Sequence, residues 1–390
     1  METAEFNNCL FIMPLDHPFE LTADYQNQTA QILSRKYQFK VLAYRAYESQ
    51  IRPWKLFQKT NRKKLFEISP QGNILLVSPV HIIPFERFQF IYEINKKISF
   101  VLWVLAAQIY FRKIQTTLWI FHPRFFWTVS SSSIIFAKKR VVYDCLDYLS
   151  SIKKKEESLL RTGEKYLFKK SDLVVFNSQF LANFHKKNIS DGLVSPSGFV
   201  VPTQLLEKEK KTEEVPNIGF GGSINYRIDF DLITEVCKKL PNFQFKFYGE
   251  SYTAEEDDLL DVKKKMETFF KLKNVELVQF TPREKLYKQM VSWDVGIIPY
   301  NLKVPLNYYC KPLKLYEYFY FGLPVVSVPI PSIRQYSDVV YLAESANDWI
   351  QAIQEAVKNK QTSHQLSYKK NEALNNSWEK KIEFILKKMK

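Results

Sequence analysis

Short apolar runs, each the length of a β-strand, recur along the chain with helix-length segments between them. The first series comprises residues 9–15, 39–44, 73–80, 117–121, 140–143, 173–177 and 193–195. The second series comprises residues 217–223, 244–248, 275–280, 295–299, 324–328 and 339–342. Such alternation predicts parallel sheets covered by helices on both faces. The predicted fold class is therefore α/β, with two Rossmann-like, doubly wound domains whose ligands bind beyond the carboxyl ends of the strands.

A polar and charged segment separates the two series and predicts a linker between domains. We place the N-terminal domain at residues 1–202, the linker at 203–215 and the second domain at 216–366. Two facing sheets of this kind would share one cleft. Residues 367–390 carry apolar side chains at helical spacing and predict a cationic amphipathic helix. The four serines at 130–133 predict a loop.

The formal net charge of +15 predicts attraction to an acidic partner, which is nucleic acid, anionic lipid or a phosphorylated substrate. No zinc-finger, RNA-recognition or basic-zipper motif accompanies the charge, so we expect no nucleic acid partner. The four cysteines lack the paired spacing of a zinc site, which favours a reducing, cytoplasmic environment. The first residues lack the basic and apolar regions of a signal peptide, so we expect no export.

The longest apolar run covers residues 98–111 and is shorter than the roughly 18 residues expected of a membrane-spanning helix. We interpret it as a helix buried in the first domain. Basic residues flank the run: Lys96, Lys97, Arg112 and Lys113. Shallow docking on an anionic membrane surface is therefore an alternative.

A predicted helix late in the second series carries cations where acids are favoured. Pro312 suits the first helical position, and Gly322 suits the left-handed stop. Lys311 and Lys314 lie at the N-terminal end, where a cation costs about 0.3–1 kcal/mol unless an anion answers both. Glu317 lies three residues beyond Lys314, so the two side chains leave one face of the helix. A ligand with a phosphate and a hydroxyl would suit this face, and a surface Lys–Glu pair is the alternative.

Three of the ten glycines, Gly219, Gly221 and Gly222, fall at the end of the first strand of the second domain. Glycine lets backbone N–H groups approach a phosphate at the start of the next helix. Arg227 follows Gly222 by five residues and offers a guanidinium that binds phosphate oxygens in pairs. This pattern predicts an anion site, and a tight strand-to-helix turn is the alternative.

Residues 217–342 resemble the nucleotide-sugar glycosyltransferases of the GT-B fold, especially the bacterial retaining type that assembles teichuronic acids and exopolysaccharides. The passages that carry the resemblance are residues 218–224, 227–231, 243–249, 293–300 and 312–327. The first domain resembles the family more loosely, through residues 141–147 and 171–178. The resemblance implies a hexosyltransferase-type enzyme with the acceptor in the first domain and the donor in the second. It also implies that the C-terminal helix crosses back onto the first domain.

By this resemblance, Arg227 and Lys314 bind the diphosphate of the donor, and Glu317 binds the ribose hydroxyls. The expected donor site comprises Gly221, Gly222, Arg227, Gly249, Lys314 and Glu317. The chain departs from the family's E-x7-E pattern, because Tyr309 stands where the first carboxylate belongs. The residue that contacts the donor sugar is therefore unassigned. We expect a UDP-linked donor, again only through the family.

Asp229 and Asp231 have the spacing of the D-x-D metal motif of the other major glycosyltransferase fold. They fall in the first turn of a predicted helix, where acids are favourable as cap and dipole partners without any metal. Arg227, Lys314 and two helix N-termini would neutralise the diphosphate. We therefore expect no metal requirement and no cofactor.

Sugar transfer also requires an acceptor hydroxyl that loses its proton as it attacks. Polar side chains at the carboxyl ends of first-domain strands are the candidates for this base: Asp16, His17, His122, Asp144 and Asp147. Asp147 is the first choice because it lies in a passage shared with similar enzymes, and His122 is the second. In retaining transferases of this type the leaving phosphate can accept the proton, which makes a dedicated base dispensable.

Aromatic residues at 85–92 and 119–127, beside Arg87 and Arg124, would suit a glycan or polyprenyl-linked acceptor, although core packing explains most such clusters. Our hypothesis is a cytoplasmic glycosyltransferase, peripheral on the inner face of the cell membrane, that extends a surface polysaccharide. Two alternatives stay open at this point. One is a sugar-nucleotide epimerase of related fold, and the other is a non-catalytic scaffold that binds a nucleotide sugar or a membrane.

Overall fold

The computed structural model describes residues 6–17, 25–46, 48, 65–84, 88–132, 139–149, 154–202, 215–251, 260–279 and 283–390. The chain divides into two compact units. The first comprises Met1–Asn177, Ala182–Ser195 and Ile382–Lys390, and the second comprises Ser178–Leu181 and Pro196–Lys381. Residues 203–214 of the predicted linker lie outside the described residues.

The first unit is built on an eight-stranded sheet. Its elements in chain order are β1 (Cys9–Pro14), α1 (Tyr25–Arg35), β2 (Lys40–Tyr44), β3 (Phe66–Ile68), β4 (Ile74–Val77), α2 (Gln89–Phe111), β5 (Gln115–Ile120), α3 (Phe126–Ser132), β6 (Lys139–Cys145), α4 (Lys154–Lys170), β7 (Leu173–Phe176), α5 (Gln179–His185) and β8 (Leu193–Val194). The strand order is β3-β4-β2-β1-β5-β6-β7-β8, and every pair is parallel except β3 with β4. The winding reverses between β1 and β5, which marks this edge as the ligand-binding position of the sheet.

The second unit is built on a six-stranded, fully parallel sheet in the order β11-β10-β9-β12-β13-β14. Its elements are β9 (Asn217–Gly221), α6 (Phe230–Lys239), β10 (Gln244–Tyr248), α7 (Leu260–Phe269), β11 (Val275–Val278), α8 (Arg283–Met290), β12 (Val295–Ile298), α9 (Pro305–Tyr309), α10 (Leu313–Tyr320), β13 (Val325–Ser327), β14 (Tyr341–Leu342), α11 (Ala346–Lys358), α12 (Ser363–Asn375) and α13 (Trp378–Lys388). The winding reverses between β9 and β12. The end of α13, from Ile382 onwards, belongs to the first unit, as the resemblance implied.

The predicted α/β class with two doubly wound sheets is confirmed, and each predicted strand has a counterpart that differs only in its ends. Strand β3 was missed. Its three residues are all exposed and form an antiparallel edge strand, so no apolar run marks them in the sequence. The core of the second unit explains one of its glycines, because a Cβ on Gly219 would lie 1.9 Å from the indole of Trp293.

The expected loop at the four serines is wrong for three of them, because Ser130, Ser131 and Ser132 lie in α3. Their hydroxyl groups donate to carbonyl oxygens three or four residues earlier, Trp127 O and Val129 O. Serine side chains that bond within the helix in this way do not compete for the backbone groups of another element. Residue 133 lies outside the described part of the chain.

The apolar run at 98–111 forms the second half of α2, but the helix is not fully buried. One face packs on the sheet through residues such as Phe100, Val104 and Ala107, which are wholly buried. The opposite side exposes large apolar side chains, here called the apolar face of α2: Phe90, Ile94, Leu102, Ile109 and Tyr110. None of the described helices has both the length and the hydropathy needed to span a membrane.

Candidate functional site

The loop after β9 lies at the switch point of the second sheet, and two glycines shape it. Gly222 has φ of +137° and Gly249 has φ of +151°, a region that residues with a Cβ rarely adopt. A Cβ on Gly249 would lie 2.0 Å from the carbonyl oxygen of Gly222. Gly249 therefore lets the β10 loop pack directly on the β9 loop.

The N–H groups of this loop have partners within the protein. Gly221 N–H donates to the Tyr318 hydroxyl at 3.3 Å, and Gly222 N–H donates to Tyr248 O at 2.9 Å. These two N–H groups thus have protein partners instead of facing open space, and the place of Gly221 and Gly222 in the donor site stays a prediction. Gly221 packs under Leu286, and the missing Cβ of Gly222 leaves space for the side chain of Lys314.

Arg227 lies against the ring of Tyr300 because the two loops pair with each other. Ile228 forms an antiparallel bridge with Tyr300, and Asn301 N–H donates to Arg227 O at 2.8 Å. The guanidinium carbon lies 4.7 Å from the Tyr300 ring centroid. Arg227 Nε also donates to Oδ1 of the wholly buried Asn307 at 2.8 Å. The guanidinium is thus oriented before any ligand arrives.

Lys314 reaches the same ring from α10. Its ammonium nitrogen lies 4.6 Å from the ring centroids of both Tyr300 and Phe220, and it donates to the Tyr300 hydroxyl. The residue is only 8% exposed, and among the described residues it has no carboxylate partner within 4 Å. A Cβ on Gly222 would lie 3.2 Å from this nitrogen. The structure therefore brings Arg227 and Lys314 to one ring at the switch point of the sheet.

Glu317 lies one turn beyond Lys314 and has different neighbours. Its Oε1 accepts a hydrogen bond from the Tyr287 hydroxyl at 3.2 Å and lies 3.9 Å from Arg283 Nε. Burial and the Glu317 charge hold the pKa of Tyr287 well above its usual value, so this hydroxyl keeps its proton. Both Lys314 and Glu317 are buried and no ion pair joins them, which rules out the surface-pair interpretation. Arg283 and Tyr287 were missed because only α8 packing brings them to Glu317.

Lys311 does not share the environment of Lys314. It precedes the helix, whose N-cap is Pro312, and its ammonium group donates to Oδ1 of Asn376 at 3.0 Å. Burial lowers the pKa of Lys311 to about 8, an effect that Glu372 partly offsets. The expectation that one anion answers both lysines is therefore wrong.

Asp229 and Asp231 act as the helix-end residues expected for them. Asp229 is the N-cap of α6 and accepts from Leu232 N–H at 3.0 Å. Such a cap contributes about 1 kcal/mol. Asp231 pairs with Lys265 at 2.7 Å on an exposed surface. Neither carboxylate is directed at the ring of Tyr300 by any contact in the described residues.

A cavity of about 380 Å³ opens at the switch point of the first sheet. It gathers four of the five candidates for the base: Asp16 and His17 after β1, His122 after β5, and Asp147 after β6. The fifth candidate, Asp144, lies within β6, is wholly buried and does not line the cavity. The position of these four residues after strand ends was therefore sufficient to predict that they lie close together.

Two of the candidates in the cavity, His122 and Asp16, differ in basicity. Burial, with the charges of Arg124 and His17, lowers the pKa of His122 to about 3. Its Nδ1 accepts from both N and Nε of Arg124 at 3.2 Å. Burial raises the pKa of Asp16, although Arg124 Nη1 at 3.8 Å and Gln26 oppose the shift. His122 is thus a weak proton acceptor, and Asp16 is a stronger one than an exposed aspartate.

The aromatic residues expected to rim the acceptor site have two different placements. In the 119–127 segment, Trp119, Phe125 and Trp127 are buried in the core, which matches the packing interpretation. Phe88 and Phe90 are exposed at the start of α2, whereas residues 85–87 lie outside the described chain.

No family model matches the chain. The protein named as the teichuronic acid biosynthesis glycosyltransferase TuaH of Bacillus subtilis (strain 168) is 24% identical over 221 residues. The match covers 51% of this chain and 53% of TuaH, so it spans about half the length of that curated relative. The apo structure of OtsA aligns with a TM-score of 0.68 at 12% identity, over 98% of this chain and 99% of OtsA. HepE of Anabaena, in complex with UDP and glucose, aligns with a TM-score of 0.67 at 13% identity, over 98% of both chains.

The protein thus has the GT-B glycosyltransferase fold, and the resemblance read from the sequence motifs is confirmed. TuaH is named as a teichuronic acid biosynthesis glycosyltransferase, and two of the structural neighbours are named as sucrose-phosphate synthase and trehalose-6-phosphate synthase.

Proposed function

We propose that the protein is a glycosyltransferase that moves a sugar from a UDP-linked donor to a growing surface glycan or a polyprenyl-linked acceptor, with retention and without a metal. The observation that carries the proposal is the pair of cations, Arg227 and Lys314, on the ring of Tyr300 at the switch point of the second sheet. The UDP in the HepE complex supports UDP as the nucleotide.

The cations are suited to a diphosphate leaving group. Transfer breaks the bond between the anomeric carbon and a diphosphate oxygen, so negative charge develops on the diphosphate. Lys314 is buried between aromatic rings, where a charge acts through a low dielectric and stabilises this change most strongly. Arg227 adds a guanidinium that Asn307 already orients. Two fixed positive charges offset most of the diphosphate charge, which is why the proposal includes no metal.

Glu317 is proposed to bind the ribose of the donor. Its carboxylate is buried, and the contacts with Tyr287 and Arg283 hold it in one orientation. A carboxylate in such a site accepts hydrogen bonds from two neighbouring hydroxyls, and a charged acceptor makes each bond stronger than a neutral one does.

The cavity of the first unit is proposed to hold the acceptor. Asp147 lines it and stays our first candidate for the base. His122 is a poor second, since a group with a pKa of about 3 takes a proton weakly at neutral pH. Asp16 is the better alternative because burial raises its pKa. Because we propose a reaction with retention, the leaving diphosphate is a further candidate to accept this proton.

A membrane partner is proposed on the basis of the apolar face of α2. Its exposed side chains run from Phe90 to Tyr110. Lys97 is exposed on the same helix, and Arg112 is exposed at its C-terminal end. Apolar side chains with adjacent cations favour shallow binding to an anionic lipid surface. A polyprenyl-linked acceptor would be presented at such a surface, on the inner face of the cell membrane.

The test compares a buried lysine, Lys314, with a half-buried one in the same segment, Lys311. Lys314→Met removes the ammonium group beside Tyr300, and Lys311→Met makes the same change beside Asn376. We expect Lys314→Met to weaken UDP binding at least tenfold by calorimetry, which is about 1.4 kcal/mol or more. Lys311→Met should bind UDP like the parent. Parent-like UDP binding and donor turnover by a folded Lys314→Met variant would overturn the proposal.

Donor specificity and reaction type need a second experiment. A panel of nucleotide sugars, scored by thermal shift, identifies the donor, and that donor is then incubated with and without cell-extract acceptors. Transfer to an acceptor supports the proposal. Conversion of the donor sugar without an acceptor identifies an epimerase, and no reaction in either arm identifies a binding scaffold.

A further inference from the structure

A second group of chemically active side chains lies in the first unit, beside the cavity but not among the residues that line it. Cys145 ends β6, Glu164 lies on α4 and His185 ends α5. One ligand atom from each lies within 4.8 Å of the other two. The carboxylate Oε1 of Glu164 is 3.7 Å from His185 Nε2 and 4.0 Å from Cys145 Sγ. A thiol, a carboxylate and an imidazole thus converge on one point.

The imidazole of His185 is buried without a hydrogen-bond partner. The residue is 3% exposed, and neither ring nitrogen has a hydrogen-bond partner among the described residues. Three aromatic rings enclose it: Phe168 at 4.9 Å, Phe176 at 5.7 Å and Phe184 at 4.9 Å between centroids. Buried polar groups are normally satisfied, and an orphaned imidazole in an apolar shell requires an explanation. A direct bond to Glu164 is not that explanation, since 3.7 Å exceeds hydrogen-bond length.

We propose that Cys145, Glu164 and His185 bind one Zn²⁺ ion. Zinc bonds of about 2.0–2.3 Å place tetrahedral ligand atoms roughly 3.3–3.8 Å apart. The separations of 3.7 Å and 4.0 Å from Glu164 Oε1 therefore need to contract by only a few tenths of an ångström. The separation between Cys145 and His185, which is within 4.8 Å, needs to contract by up to about 1 Å. A thiolate and a carboxylate cancel the charge of Zn²⁺, which makes the buried group neutral. Thiolate and imidazole together select zinc over magnesium or calcium.

A neighbouring tyrosine, Tyr143, holds one of the proposed ligands in place. The Tyr143 hydroxyl donates to Glu164 Oε1 at 3.3 Å and so orients the carboxylate, as outer-shell partners of metal ligands do. The ion would join β6, α4 and α5, and a water molecule would complete four ligands. This role is separate from the proposed donor site and from the expectation that sugar transfer needs no metal. It therefore stands or falls independently of the proposed activity.

The test measures metal in the untagged full-length chain, purified without chelator. We expect about one equivalent of zinc per chain by inductively coupled plasma mass spectrometry. After exchange with Co²⁺, we expect a near-ultraviolet thiolate-to-cobalt band and the visible spectrum of a tetrahedral ion. Cys145→Ser should lose the band and weaken zinc binding more than about tenfold. Cys237→Ser is the matched control, because Cys237 is an equally buried thiol in the second unit.

Two results overturn the proposal. The first is a parent chain that takes up no zinc and shows no thiolate-to-cobalt band, a measurement that needs no variant to fold. The second is a Cys145→Ser variant that keeps the parent's cobalt spectrum and zinc affinity, because the metal would then bind elsewhere.

Discussion

The ammonium nitrogen of Lys314 lies so near Gly222 that a Cβ at position 222 would be 3.2 Å from it. The glycine at the end of β9 is thus part of the space that Lys314 occupies beside Tyr300. Because Lys314 is the side chain nearest to a Cβ at this position, a larger residue in place of Gly222 should displace the ammonium group of Lys314.

Gly222→Ala tests this relationship. We expect UDP affinity to fall about tenfold or more, because the methyl group displaces Lys314, and stability to fall by about 1–3 kcal/mol from the positive φ. Gly72→Ala is the control, since Gly72 also has positive φ but no described residue lies within 4 Å of the Cβ that alanine would add. It should lose stability without losing UDP affinity. Calorimetry and denaturant melts separate the two effects, and equal UDP affinity in both variants would contradict the assignment.

Tyr300 provides a graded test of the shared ring. Tyr300→Phe removes only the hydroxyl that accepts from Lys314, so we expect a loss of UDP affinity of less than about tenfold. Tyr300→Leu removes the ring beneath Arg227 and Lys314, and each contact contributes about 0.5–2 kcal/mol to their placement. The leucine variant should therefore bind UDP more weakly than the phenylalanine variant. The same affinity for both would show that the ring does not position the cations.

His122 predicts acid sensitivity of the fold. Its pKa is about 3 in the folded protein against 6.5 for an exposed histidine, so the unfolded chain binds more protons between these values. Stability therefore falls as pH drops from 6.5 towards 3, by about 2 kcal/mol between pH 7 and pH 4.5. His122→Asn should remove this part of the pH dependence in urea titrations. His364→Asn, at an exposed site, should leave it unchanged, and identical slopes for parent and His122→Asn would contradict the prediction.

The apolar face of α2 predicts lipid binding. Leu102→Glu with Ile109→Glu should reduce co-sedimentation with anionic phosphatidylglycerol vesicles more than about tenfold. Both side chains are over half exposed, and burying each of them in lipid contributes roughly 1–3 kcal/mol to the free energy of binding. Melting temperature should change little. Leu366→Glu with Leu374→Glu places the same charges at exposed leucines of α12 and should bind vesicles like the parent. Vesicle binding that survives the α2 change would assign any membrane contact to another surface.

The amino-acid sequence by itself determined the alternation of strands and helices, and with it the strand ends where Asp16, His122 and Asp147 meet. This was sufficient because apolar periodicity reports burial locally, and parallel strands place their carboxyl ends on one edge. The apolar run in α2 predicted a buried helix, but one side of α2 is exposed. A helix that is buried and one that exposes apolar side chains can have the same sequence pattern, because they differ only in what packs against them.

Tertiary structure alone decided which charges share a site. Lys311 and Lys314 are neighbours in sequence but point to Asn376 and Tyr300, respectively. Arg283 reaches Glu317, and Cys145 meets His185, only because strand order brings distant helices together. Local propensity carries no information about such pairs, because their contact energies depend on packing between segments that the chain separates by tens of residues.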